Sequence, residues 1–312
     1  SSDLADQPVI YVVSSDPRKG AGAGSGLSGD LDLDTNSGIL SKLTWTGLNR
    51  NDPNGTWELV HLVRGMPRSE ENHANNNFII DDDTGIAYLT VGGFTNAGAP
   101  SSGFAFACEY ALAACILSVD LNAIEAMPTR IDAEGQVYKY DLPTLEHPTT
   151  FDGTPNSSAD NVPWGGDDGL NQALWVENGP VQVMAGGLRN PYGVVLTTYN
   201  GTKRLYTVDN GANAGWGGHP WGEGPPQGNG TSRATNEYIA TDPGGSGPGN
   251  HPSQTVTDGV DPIVNNLNGL HLVSPDLDNH TYYYGGHPNP IRANPSGAGW
   301  FKDLVYYPAG DP

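Results

Sequence analysis

The 312-residue sequence predicts an all-β protein built from many short strands. Its apolar segments are short, rich in Val, Ile, Leu, Tyr and Thr, and bounded by Gly, Pro, Asn or Asp, which is the pattern of strands separated by turns. The 43 glycines and 25 prolines interrupt the apolar runs before they reach the length of a long helix. Only residues 109–116, which contain Ala and Leu, carry a helical signal, and it extends over one or two turns.

The predicted strands are distributed along the whole chain and are all shorter than eight residues. They cover residues 9–14, 39–45, 57–63, 77–80, 86–92, 115–121, 136–142, 181–185, 193–196, 204–209, 272–274, 281–284 and 304–307.

Two of the predicted hairpins repeat one another. Strand 77–80, the turn DDDTG and strand 86–92 are matched by strand 193–196, the turn YNGT and strand 204–209. Strands centred on Tyr11, Tyr88 and Tyr206 share one pattern. A β-sandwich also accommodates many short strands, but repeated hairpins favour a β-propeller whose blades carry variable insertions. His73 and Arg189 precede the two hairpins, which predicts a polar central pocket.

We expect residues 1–312 to form a single domain, because all-β folds of this size often do. A segment at about 211–252 is dominated by Gly, Pro, Asn and Trp and is predicted to be a long insertion or ordered loop. A disordered linker is the alternative. Trp216 and Trp221 favour the ordered loop, since linkers seldom contain tryptophan.

The net charge of −21 argues against nucleic acid and against an anionic membrane as partners. It favours bound cations or a solubilising acidic surface. Residues 104–119 are the most membrane-like stretch, but they are shorter than the ~20 apolar residues of a spanning helix and include Glu109. We therefore expect no membrane span.

The first residues lack the features of a signal peptide, so we expect any targeting segment to have been removed. Cys108 and Cys115 are the two cysteines and would close a small loop if oxidised. A local disulfide fits an oxidising compartment, and two buried thiols are the alternative.

Residues 30–36, DLDLDTN, have the alternating oxygen donors of a calcium loop. Thr35 and Ser41 replace the Gly and Glu that an EF-hand requires, which excludes that motif. A solvated acidic turn or a different calcium site remains.

Four segments occur in the order found in one known family: MPRSEENHANN at 66–76, LSVD at 117–120, GLRNPYG at 187–193 and TVDNGAN at 207–213. The chain resembles the soluble quinoprotein sugar dehydrogenases, also described as glucose/sorbosone dehydrogenase domains. These are six-bladed β-propellers that use pyrroloquinoline quinone and calcium. The chain departs from the family where NNN at 75–77 replaces Gly-Gly-Arg and where Ala212 replaces Pro. The family's opening blade and its late basic residues have no clear counterpart.

The resemblance implies a role for each matching residue. His73 would be the base that takes the hydroxyl proton of a sugar, and Arg189 would stabilise the reduced quinone. Asn190 would contact the cofactor, and the backbone carbonyls of Gly211 and Ala212 would bind calcium. Apart from the resemblance, residues 287–295 form a second Arg-Asn-Pro-like turn, whose Arg292 would face the same pocket and contact the cofactor; a proline-fixed surface loop is the alternative.

Structural roles are the alternatives at these positions. They are a histidine bonded to loop backbone, an arginine bonded to carbonyls between blades, and an asparagine that holds the turn before a proline.

The resemblance thus predicts a secreted, periplasmic or extracellular oxidoreductase acting on an aldose or related sugar, with an electron acceptor that the sequence does not identify. One alternative is a non-catalytic, calcium-binding propeller module of a larger extracellular protein that binds glycans or protein. A calcium-dependent propeller lactonase is a weaker alternative, because that chemistry also places a metal in the central channel. Propellers support many functions, so the fold alone does not choose between these readings.

Overall fold

The computed structural model describes residues 8–16, 35–69, 73–95, 109–146, 171–211 and 268–287, together with the backbone of 300–302 and 305–307. These residues form seventeen strands and one short helix, so the all-β prediction is confirmed. The strands form three sheets of three to five strands and two separate strand pairs.

The first sheet has the strand order β1-β2-β3-β8-β7. Its members are β1 (Val9–Ser14), β2 (Gly38–Trp45), β3 (Trp57–Met66), β8 (Val137–Asp141) and β7 (Arg130–Ile131). The pairs β1·β2, β2·β3 and β7·β8 are antiparallel, whereas β3 and β8 are parallel.

The middle sheet has the order β15-β11-β6-β5-β4. It contains β4 (Asn75–Asp81), β5 (Ile86–Val91), β6 (Cys115–Asp120), β11 (Val181–Gly186) and β15 (Tyr283–Tyr284). The first four strands by sequence are antiparallel, and β15 joins β11 in parallel.

The third sheet has the order β12-β13-β14, with β12 (Pro191–Tyr199), β13 (Thr202–Asp209) and β14 (Gly269–Ser274). Asn200 and Gly201 both have positive φ in the β12–β13 turn, at 49° and 81°. Two successive positive φ values give a turn whose twist matches that of the flanking strands, and Asn-Gly adopts it readily. Both predicted hairpins, β4–β5 and β12–β13, are confirmed.

The two remaining pairs are β9 (Thr144–Glu146) with β10 (Asn171–Ala173), and β16 (Trp300–Lys302) with β17 (Val305–Tyr307).

The middle sheet is buried on both faces. Along β5, Ala87 and Leu89 point into a core shared with Leu40 and Val63 of the first sheet, while Tyr88 points into a second core. That second core contains Val194, Leu205 and Val273 of the third sheet. Since side chains alternate between the faces of a strand, the continuous apolar run of β5 serves both cores. The three sheets therefore stack face to face in the order first, middle, third.

The predicted helix at 109–116 is wrong. Residues 110–114 form turns, with Ala114 at a φ of 54°, and β6 begins at Cys115. A helix, α1 (Leu121–Glu125), follows β6 instead. Asp120 accepts a hydrogen bond from the Ala123 N–H at 2.9 Å and so begins this helix, which is why β6 ends before Leu121. Strands β7, β9, β10 and β16 were not predicted.

Some sequence expectations fall partly outside the described residues. The structure describes only Gly211 of the predicted insertion at 211–252. Of the acidic loop at 30–36 it describes only Thr35 and Asn36. Cys115 is a free, buried thiol, whereas Cys108 lies outside the described ranges. Within those ranges, no helix has the length and apolar character needed to cross a membrane.

Candidate polar site between the middle and third sheets

The two repeated hairpins bring the predicted site residues together. His73 lies two residues before β4, and Arg189 and Asn190 lie immediately before β12. Strand β12 packs against β4 and β5, so the chain segments that enter both hairpins meet at one end of the sheet stack. The three predicted side chains that the structure describes, His73, Arg189 and Asn190, are all buried.

His73 is held at both its backbone and its ring. Its N–H donates to Ser69 Oγ at 3.1 Å, and its carbonyl accepts from the Ser69 N–H at 2.9 Å. The ring Nδ1 lies 2.8 Å from the carbonyl oxygen of Gly93. Because a carbonyl only accepts, Nδ1 carries the proton in this bond and the lone pair of the neutral ring lies on Nε2.

The environment of His73 favours the neutral imidazole. Burial is the main cause, followed by the nearby Arg189 charge, and together they lower the pKa of His73 to about 3. The hydrogen bond to Gly93 opposes this shift only in part. His73 is therefore a neutral, tautomerically defined ring at physiological pH.

Asp209, at the end of β13, fixes the turn that carries Arg189 and Asn190. Its carboxylate accepts the N–H of Asn190 at 2.8 Å and that of Arg189 at 3.2 Å. Arg189 Nη1 donates to the carbonyl of Asn210 at 3.2 Å. The guanidinium thus lies between the segment before β12 and the segment after β13, close to His73.

Backbone and amide contacts connect the two hairpins. The Gly93 N–H donates to the carbonyl of Arg189 at 2.7 Å. Asn76 Nδ2 donates to Asn190 Oδ1 at 2.7 Å and to the Pro191 carbonyl at 2.9 Å. A β-carbon on Gly92 would lie 2.6 Å from both Asn190 Oδ1 and His73 Cβ, so only glycine permits this approach.

Arg68 is a second buried cation beside His73. Its Nη1 donates to the Ser69 carbonyl and lies 3.5 Å from the His73 carbonyl, while its Nε donates to the backbone carbonyl of Asp16 at 3.1 Å. The Arg68 N–H donates to the Thr35 carbonyl at 2.7 Å. Arg68 therefore attaches the first sheet's loops to the segment that carries His73.

A carboxylate and a second histidine complete the polar site. Glu109 accepts from the Phe94 N–H at 2.6 Å and from the Thr95 hydroxyl at 2.8 Å. His287 Nε2 lies 3.1 Å from Glu109 Oε2 and 3.2 Å from Thr95 Oγ1. The Glu109 and His287 side chains are only 13% and 12% exposed.

Of the residues predicted to bind calcium and of Arg292, predicted to contact the cofactor, the structure describes only Gly211. Gly211 is half-buried and directly follows Asn210, whose N–H donates to the Asn190 carbonyl at 3.1 Å. Ala212 and Arg292 lie outside the described residues. Within the described ranges, no group of three or more His, Cys, Asp or Glu side chains is placed to hold a metal ion.

Five residues of the site were not identified from the sequence: Arg68, Asn76, Asp209, Glu109 and His287. Asp209 and Asn76 each occur within or beside a predicted hairpin strand, so the hairpin repeat could have indicated them. Glu109 and His287 are 178 residues apart, and no spacing pattern connects them.

Comparisons of the chain with protein-family models, with curated proteins and with solved structures found no match.

Proposed function

We propose that the chain is an oxidoreductase that oxidises an aldose or a related sugar with pyrroloquinoline quinone and calcium. The observation that carries the proposal is the pairing of a neutral His73, whose Nδ1–H is bound to Gly93, with the buried guanidinium of Arg189. The ordered motifs at 66–76, 117–120, 187–193 and 207–213 support the same reaction class through their family resemblance.

The sheet stack supports a β-propeller as the scaffold, and the family resemblance is the basis for proposing six blades. Successive propeller blades pack face to face, as the first, middle and third sheets do. The outer faces of the stack carry exposed apolar residues, among them Ile10 and Leu59 on the first sheet and Val195 and Leu272 on the third. Further blades packed against these two faces would bury them and continue the ring.

Sugar oxidation at the anomeric carbon removes a hydroxyl proton and a hydride. A proton acceptor must present a lone pair to the substrate, and the observed hydrogen bond leaves that lone pair on His73 Nε2. An anionic group placed against Arg189 would offset its repulsion of imidazolium and so raise the proton affinity of His73. Ligand binding would thereby make His73 a stronger base when the substrate is present.

The charge and polarity of two described residues support an anionic quinone as the cofactor. Arg189 supplies a permanent cation, and Asn190 adds an amide held in place by Asn76. The carbonyls of Gly211 and Ala212 would hold calcium, and Arg292 would add a second cation toward the cofactor. When bound, the quinone would supply a hydride acceptor and calcium would supply a Lewis acid.

The test is reconstitution of the full chain. We would remove divalent ions with a chelator, add pyrroloquinoline quinone with calcium, and follow cofactor absorbance and dye reduction across a panel of sugars. Calcium-dependent quinone binding, with sugar-driven dye reduction that His73→Ala abolishes, is the expected result. His271→Ala, a change on the half-exposed strand β14, is the matched control and should retain activity. A folded chain that binds no quinone would contradict the proposal.

A non-catalytic binding propeller is the second candidate, and one observation favours it. His73 donates to the backbone carbonyl of Gly93, and Arg189 donates to that of Asn210. Such bonds are typical of side chains with a structural role in connecting loops. If this second hypothesis holds, the folded chain binds immobilised glycans or protein but does not bind pyrroloquinoline quinone. The lactonase alternative needs carboxylates gathered around a metal, and the described ranges contain no such group.

A further inference from the structure

Glu109 lies next to Gly93, the residue whose backbone carbonyl accepts the hydrogen bond of the His73 ring. A β-carbon on Gly93 would lie 2.8 Å from Glu109 Oε1 and 3.0 Å from Oε2, so the carboxylate is in contact with the Gly93 backbone. Its two oxygens accept from the next two residues, the Phe94 N–H and the Thr95 hydroxyl. One side chain thus fixes three consecutive residues, which we call the 93–95 strap.

The 93–95 strap contacts both proposed catalytic residues. The Gly93 carbonyl accepts the His73 Nδ1–H at 2.8 Å, and the Gly93 N–H donates to the Arg189 carbonyl at 2.7 Å. The orientation of the Gly93 peptide groups therefore determines which His73 nitrogen carries the proton and where the Arg189 backbone lies. Charge-assisted hydrogen bonds to a carboxylate are about twice as strong as neutral ones, which makes Glu109 an effective anchor for the strap.

We propose that Glu109 is a positioning residue that holds His73 in the Nδ1–H tautomer through the 93–95 strap, with His287 and Thr95 orienting its carboxylate. The catalytic consequence, a lone pair directed from Nε2 to the substrate, rests on the proposed function. The positioning itself is a property of the chain without any ligand.

His287 fixes the orientation of Glu109 from a third segment. Its Nε2 lies within hydrogen-bond distance of both Glu109 Oε2 and Thr95 Oγ1, and its backbone N–H donates to the Gly187 carbonyl at 2.9 Å. Phe94 and Tyr110 add an aromatic contact at 4.3 Å between ring centroids, next to the strap and next to Glu109. The carboxylate is thus held by polar groups from the segments after β5 and after β15.

The test reads the tautomer directly in the ligand-free protein. ¹⁵N ring shifts of His73 are recorded by NMR for the wild type, Glu109→Ala, Glu109→Gln and the exposed control Glu134→Ala. We expect the Nδ1–H pattern in the wild type, in the control and in Glu109→Gln, whose amide oxygen can still accept the Phe94 N–H and whose amide NH2 can donate to the Thr95 hydroxyl. In Glu109→Ala we expect this exclusive pattern to be lost, with the Nε2–H tautomer becoming detectable.

An unchanged Nδ1–H pattern in a folded Glu109→Ala protein would overturn the positioning role. If Glu109→Ala does not fold, Thr95→Val decides, because it removes one of the two hydrogen bonds between the 93–95 strap and Glu109 while nearly preserving volume. A His73 spectrum unaltered by Thr95→Val would then count against the proposal. Dye reduction in the reconstituted protein is a separate readout. A tautomer change without any wild-type sugar oxidation would refute the proposed function and leave the positioning role standing.

Discussion

Lys203 and Asp81 connect the far ends of the two repeated hairpins, with Nζ 2.6 Å from Oδ1. Asp81 is the last residue of β4, and Lys203 lies at the start of β13. The near ends of the same hairpins carry His73 and Arg189. The ion pair therefore restrains the hairpins at the opposite end from the polar site.

Lys203→Met should destabilise the protein, because it leaves the nearly buried carboxylate of Asp81 without this cation. Burial alone would raise the pKa of Asp81, but the hydrogen bonds from Lys203, the Asp83 N–H and Thr84, together with the Lys203 charge, outweigh burial and lower the pKa below its ordinary 3.8. The contribution is thus complete above about pH 4 and is lost as the pH falls further. The coupling energy between Lys203 and Asp81 is obtained from urea unfolding of four proteins: the wild type, Lys203→Met, Asp81→Asn and the double variant. A coupling of zero at neutral pH would contradict the prediction.

His73→Gln should weaken the dependence of the free energy of unfolding on pH below neutrality. The folded pKa of about 3 lies below the ordinary 6.5, so the unfolded chain binds more protons between these values. The stability contribution of His73 is complete above pH 6.5 and declines as the pH falls toward 3. Since one pKa unit corresponds to about 1.4 kcal/mol, the decline is on the order of a few kcal/mol.

Urea unfolding of the His73→Gln variant from pH 7 to pH 4 measures this effect, with His271→Gln as the control. Equal slopes for His73→Gln and the wild type would show that His73 takes up no proton on unfolding.

Gly92→Ala should destabilise the folded protein through a steric clash at the polar site. The added carbon would lie 2.6 Å from Asn190 Oδ1 and from His73 Cβ, and overpacking of this kind costs about 1–3 kcal/mol. Gly193→Ala is the matched control, because a β-carbon at Gly193 meets nothing within 4 Å. Thermal unfolding should show a lower Tm for Gly92→Ala alone. Equal Tm values for the two variants would argue against the close approach.

Arg64→Met should cost about 3 kcal/mol, the scale for removing one partner of a buried ion pair. The Arg64 guanidinium is 1% exposed, pairs with Asp132 at 2.6 Å and Asp141 at 2.7 Å, and lies 3.7 Å from the centre of the Tyr138 ring. Its loss leaves two carboxylates without their shared cation.

Urea unfolding is the measurement for Arg64→Met, with the exposed Arg130→Met as control. Adding Asp132→Asn and Asp141→Asn to Arg64→Met should recover part of the loss. Failure of these changes to recover any stability would indicate that packing of the arginine stem, not charge, explains the effect.

Local sequence features were sufficient to predict the hairpins. Strands β4, β5, β12 and β13 combine apolar runs with turns that contain Gly85 and Gly201, both at positive φ. The repeat also indicated that His73 and Arg189 lie at equivalent positions, and the structure brings them together.

Long-range contacts determine what the sequence could not reveal. Residues 109–116 favour a helix by composition, but Cys115 and Ile116 belong to β6, whose pairing with β5 and β11 overrides the local preference. Residues 110–114 form the turns that lead into this strand. Glu109 gains its role only because Phe94, Thr95 and His287 meet it in space.

The parallel pairing of β3 with β8 imposes an order on synthesis and folding. Arg64 of β3 and Asp141 of β8 are 77 residues apart, and β4, β5 and β6 are made between them. A nascent chain therefore completes these three strands of the middle sheet while β3 is still an open edge, exposed to mispairing. The two sheets cannot be separated by cutting the chain once, so neither corresponds to an independently expressible fragment. Such long-range pairing predicts slow folding.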